Sequence, residues 1–155
     1  GGWLPGPEAR KMDRSILNNC EIRRLSNAVA DGTSAVEPAA IDMQGWGGIC
    51  VIAALGTVTA GGQVLTLKQS DDSGGTPDDF DAIVATAANA AADDNKLLIA
   101  EVYHPTKRYI QVSLGRTGST VVDGIIAVLF RPHVVPVTQG STVAQIATAA
   151  SPDEV

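Results

Sequence analysis

The sequence predicts an all-β fold: an antiparallel β-sandwich, jelly-roll-like, with extended N- and C-terminal arms. Three observations lead there. The 155 residues are 45% hydrophobic but only 4% aromatic, an aliphatic composition long enough to bury one core. Sixteen glycines and eight prolines imply many turns. Between the turn clusters lie short apolar or alternating runs, spaced as in a sandwich or barrel.

Taken in order, residues 1–26 read as an N-terminal arm, 27–136 as the sandwich domain and 137–155 as a C-terminal arm. The first arm holds five of the eleven basic residues, Arg10, Lys11, Arg14, Arg23 and Arg24, and is net positive on an acidic body. Ile16, Leu17, Ile22 and Leu25 have loosely helical spacing, so a short helix fits within 13–26. Residues 1–11 fit either a native extension or an addition upstream of Met12.

The body then reads as strands. Trp46 to Leu55 is a nearly continuous apolar run of strand length, compatible with burial on both faces. Cys50 within it reads as a small buried hydrophobe. After the turn Gly61-Gly62, Gln63 to Gln69 alternates and points Leu65 and Leu67 inward. Ser70 to Asp79 is a polar loop. Thr76-Pro77-Asp78-Asp79 has the order of a helix start, and alanine-rich sequence follows to Ala92. Ile83, Val84 and Thr86 oppose a helix there, so strand plus loop fits equally.

Leu97 to Tyr103 and Lys107 to Leu114 bracket His104-Pro105-Thr106, which reads as a compact hairpin. Gly115 to Thr120 is a turn, and Val121 to Phe130 is a long apolar strand. The expected core is Ile49, Val51, Leu65, Leu67, Ile110, Val112, Ile126 and Val128. Pro132 and Pro136 exclude the tail from a sheet interior, leaving an extended arm with a helical turn at Val143 to Ala149.

Charge and composition narrow the function. Eleven Lys and Arg against seventeen Asp and Glu give a net charge of −6, a poor basis for neutralising phosphates, so no nucleic-acid partner is expected. No apolar run approaches eighteen residues, so no membrane partner is expected either, and residues 1–30 lack a secretory pattern. Two cysteines, Cys20 and Cys50, are too few for a disulfide framework, and a reduced cytosolic protein is the expectation.

No enzymatic activity is expected. His104 and His133 each sit near proline in loops, outside any metal-binding spacing. Asp72-Ser73-Gly74-Gly75 lacks the context of a serine nucleophile, since both histidines come later in the chain. Asp71, Asp72, Asp78, Asp79 and Asp81 do not follow a Ca²⁺-loop pattern and read as a solvated loop. Gly115 to Thr120 lacks the Lys-Ser/Thr ending of a phosphate loop. No cofactor and no metal are expected. The mixture of basic and apolar residues in the first arm instead suits docking on a neighbouring protein surface. The candidate contact residues are Trp3, Leu4, Arg10, Lys11 and Arg14, followed by Ile16, Leu17, Arg23 and Arg24.

The order of elements adds a resemblance. Its marks are Leu67 to Asp72, an L-x-x-S-D-D strand end, and the strand start Lys107-Arg108-Tyr109-Ile110, followed by a final apolar strand ending near Arg131 and Pro136. Over roughly residues 35–136 this resembles the small β-sandwich decoration (cement) proteins of tailed bacteriophages. The resemblance implies a non-enzymatic virion structural protein, made in the host bacterial cytoplasm and seated on the outer capsid surface. It implies the major capsid protein as partner, with capsomers bridged by a homo-oligomer, dimer or trimer. Two other readings stay open: a phage tail or head–tail joining protein, and a carbohydrate-binding sandwich module. The latter usually needs exposed aromatic rings, and two Trp, two Tyr and two Phe leave few to spare.

Overall fold

The computed structural model describes residues 15–72 and 80–149. A one-turn helix, α1 (Ile16–Asn19), leads into β1 (Glu21–Ser26), β2 (Val29–Gly32), β3 (Ile41–Asp42) and β4 (Trp46–Val58). Then come β5 (Gln63–Ser70), β6 (Asp81–Ala85), β7 (Leu97–Tyr103), β8 (Tyr109–Arg116) and β9 (Thr120–Pro132). Ser15 caps α1, its hydroxyl accepting the Asn18 N–H at 3.3 Å. The helix stops because Cys20 returns to extended backbone and starts the first strand.

Two antiparallel sheets pack face to face. One has the order β1-β9-β4-β7, with β2 continuing the β1 edge on β9; the other is β3-β8-β5-β6. The pairings are nested: β5 with β6, β4 with β7, β3 with β8 and β1 with β9. This is the order obtained by rolling one long antiparallel hairpin around a core, a jelly roll. The sandwich expectation holds.

The inner faces supply the core, built around Ile49, Val51 and Leu55 of β4, Leu65 and Leu67 of β5, and Ile110, Val112 and Leu114 of β8. From β9 it takes Val122, Ile125, Ala127 and Leu129. The expected inward positions Ile126 and Val128 are therefore corrected: Ile126 is 41% exposed and Val128 only half-buried, both on the outer face. A bulge is responsible. Ala54 faces Gly124 while the next residue, Leu55, faces Val122, so Asp123 is an extra residue on β9. One inserted residue inverts the period of two beyond it.

Three further expectations change. The sandwich begins at Glu21, not at residue 27, because β1 pairs along β9 from Glu21↔Leu129 to Ser26↔Ile125. Leu97–Tyr103 and the strand after it are not a hairpin: β7 lies in one sheet and β8 in the other, so His104-Pro105-Thr106 crosses the sandwich. Between 80 and 92 the chain forms strand plus loop, with Asp81–Ala85 paired to β5; Thr76 to Asp79 lie outside the described residues. No helical turn forms at 143–149.

Candidate interaction surface

Around β1, residues 17–24 meet residues 137–142. The residues after Pro136 run along its free edge and bond to it mainly through side chains. Gln139 Oε1 accepts the Ile22 N–H at 2.9 Å, and Thr142 Oγ1 accepts the Arg24 N–H at 3.1 Å. The Gln139 amide donates to the Leu17 and Cys20 carbonyls at 3.1 and 2.7 Å, and the Val137 N–H donates to the Asn18 carbonyl at 2.9 Å. These oxygens stand where a further strand's carbonyls would be, so this edge is not left as a free template. The C-terminal segment is thus a strap over β1 as far as Thr142.

The expected contact residues separate on this scaffold. Trp3, Leu4, Arg10, Lys11 and Arg14 lie outside the described residues. Ile16 is 65% exposed on α1, and Leu17 is half-buried beneath Gln139. Arg23 is held in its own strand by both carboxylate oxygens of Glu21, at 3.0 and 3.1 Å. Arg24, opposite Ile126, is exposed on the outer face of the β1-β9-β4-β7 sheet.

Among the described residues, Arg24 alone of the expected contacts lies on that face, and the rest of the face is not among them. Its central row is Arg24, Ile126, Ile52 and Ile99; the next is Ile22, Val128, Cys50 and Glu101. Beside them Phe130 lies on Gly48, where a Cβ would come within 2.3 Å of the ring. Leu97, Ile99 and Tyr103 are 55%, 54% and 69% exposed. Cys50, read as buried, is half-buried on this face. Both cysteines are free, and burial raises the Cys50 thiol pKa, with the Glu101 charge adding to it. The opposite sheet behaves differently: Thr66 and Lys68 pair with Ser113 and Gln111 across its outer face. The signal for the apolar face was in the sequence, in the apolar residues at both parities of Trp46 to Leu55.

The Lys107-Arg108 pair has a structural use. Arg108 forks onto Asp42 at 2.9 and 2.8 Å, and Lys107 reaches Asp81 at 2.6 Å. From the mouth of β8 the two cations grip β3 and β6, the two edges of their sheet. The Arg108 bond, helped by the Gln44 N–H, lowers the Asp42 pKa to about 2. Arg116 is buried and donates to the carbonyls of Ala30, Ser34 and Thr120 at 3.0, 2.6 and 2.8 Å. Among the described residues no three His, Cys, Asp or Glu side chains converge as a metal site would require. A cleft of about 270 Å³ is lined by Trp46, Pro132, His133 and Pro136, with one indole as its stacking surface.

No protein-family model matches this chain, and neither does any curated protein sequence. Among solved structures, the fold is similar to the crystal structure of PBSX exported protein XepA, with a TM-score of 0.50 and 18% identity. The match covers 86% of this chain but 44% of that one, so this chain spans under half of its length. At this identity the likeness concerns the fold.

Proposed function

We propose that this chain is a phage virion structural protein, without catalytic activity, that decorates the outer capsid surface by bridging major capsid protein subunits. The observation that carries the reading is a sandwich with one polar outer face and one apolar outer face. Such a domain is built to be covered by protein. The decoration-protein resemblance of residues 35–136 supplies the setting, and the fold likeness to a PBSX protein points the same way. The jelly roll serves viral capsids and lectins alike, so the fold alone does not choose between them. The basic N-terminal residues, carried by an acidic chain, provide the electrostatic part of capsid attachment.

The test is co-sedimentation of the purified full chain with heads assembled from a tailed-phage major capsid protein of the same source. Saturable binding at a fixed copy number per capsomer, weakened by added salt, is the expected result. Protein that stays in the supernatant at every concentration would overturn the reading.

A further inference from the structure

We propose that the outer face of the β1-β9-β4-β7 sheet is a two-fold interface between two copies of this chain. An antiparallel sheet with one face in water ordinarily alternates apolar inward and polar outward. The β3-β8-β5-β6 sheet places polar side chains there, half-buried Thr66 and Lys68 beside buried Gln111 and Ser113, with the Ser113 hydroxyl donating to Glu37 at 2.9 Å. Its partner sheet does not. Ile126 and Ile52 occupy the outer side of the two central strands, where Lys68 and Gln111 sit on the other sheet. One protein with two faces treated so differently has one face meant for protein.

Charge identifies the occupant as a second copy. The apolar field has a cation on one edge strand, Arg24 of β1, and an anion on the other, Glu101 of β7. A two-fold axis between the stacked sheets, parallel to the strands, sets β1 of one copy over β7 of the other and β9 over β4. Arg24 then lies one residue pair along the strand from Glu101 of the second copy, within reach of the two long side chains, and this happens twice. With the axis perpendicular to the strands, β1 would lie over β1 and β7 over β7, so each edge would bring like charges together and neither would find its opposite. The face is self-complementary in the first orientation only, which is the property an isologous interface needs. Four strands spaced about 4.8 Å apart and seven residues deep present on the order of 450 Å² of flat sheet per copy, about 900 Å² in all, the size of a small and weak interface, so the association expected is reversible.

The inference shares the apolar outer face with the capsid reading, but it is tested on the chain alone in solution. Sedimentation velocity of the full chain from micromolar to several hundred micromolar tests it. A reversible monomer–dimer equilibrium is expected. Ile52→Lys and Ile126→Lys should each shift it to monomer, while Thr66→Lys on the other sheet should leave it unchanged. Arg24→Glu and Glu101→Arg should each weaken the dimer about tenfold, and the double charge reversal should restore it. These two positions are at exposed edges, so the charge variants remain informative even if a lysine on a central strand impairs folding. A wild-type chain monomeric throughout, dimers that survive Ile126→Lys with far-UV circular dichroism intact, or a double reversal that fails to recover would each overturn the proposal. Heads that bind a monomeric chain would defeat this inference and leave the capsid reading standing.

Discussion

At the scale of single residues, the polar groups in this protein are chiefly ties between strands. Arg116 is the largest of them. Its guanidinium is buried, with no carboxylate partner among the described residues, and spends its donors on three backbone carbonyls, so the β2 segment is fastened to the end of β8 and the start of β9. Asp42 and Arg108 are more exposed, and their pair titrates. The Asp42 pKa falls from 3.8 to about 2 because the Arg108 fork favours the carboxylate. A carboxylate with a depressed folded-state pKa contributes stability above its unfolded value and loses it as pH falls towards the folded one. Asp42→Asn should therefore melt below the wild type at pH 6, by a small margin suited to an exposed pair. The gap should close between pH 4 and pH 2, a window set by the two pKa values. Thermal melts of both proteins across that range check it; a constant gap would mean the pair is not coupled to folding.

At the scale of elements, edges govern the design. Strand β1 has one edge on β9 and the other under the C-terminal strap, where Gln139 and Thr142 accept its Ile22 and Arg24 N–H groups. Hydrogen exchange reads this directly. In Gln139→Ala combined with Thr142→Ala, the Ile22 and Arg24 amides should exchange at least tenfold faster, while the β4 and β9 amides stay protected. Equal protection in the variant would mean that the strap does not hold this edge. The β3-β8-β5-β6 sheet handles its edges differently, using Arg108 and Lys107 on Asp42 and Asp81. The bulge at Asp123-Gly124 is a third device. It lets one strand keep Val122 and Ile125 both inward, and it leaves Ile126 in the middle of the opposite face.

At the scale of the whole molecule, the nested pairing makes the ends of the chain depend on each other. Glu21 and Leu129 are partners, and Leu25 packs against the shared core. Removal of residues 1–26 should not leave a folded sandwich, contrary to what an arm ending at residue 26 would imply. It strips β1 from β9 and exposes the strand beneath it. The truncated chain should melt well below the parent or collect in inclusion bodies. A truncation that melts with the parent would show β1 to be dispensable. The same nesting makes every pair except β5 with β6 a long-range contact, so refolding should be slow for a chain of this length.

What the sequence determined by itself was local: alternation in Gln63 to Gln69 and in Tyr109 to Leu114, turn residues between the runs, and hence an all-β sandwich with Leu65, Leu67, Ile110 and Val112 inside. Those features depend on a period of two and on turn chemistry, which neighbours in the chain define. The partner of each strand was not legible, because pairing is chosen among edges distant in sequence; the compact His104-Pro105-Thr106 connection crosses between sheets for that reason. Nor was β1 legible as a strand: its helix-like spacing is made extended by the ladder with β9, the core contact of Leu25 and the strap, all distant in sequence. The apolar outer face lay between these cases. Its residues were readable in Trp46 to Leu55, but tertiary structure alone decided which parity the core would cover. It left Cys50 and Ile52 facing outward with Ile126, because two sheets can close only one interior between them.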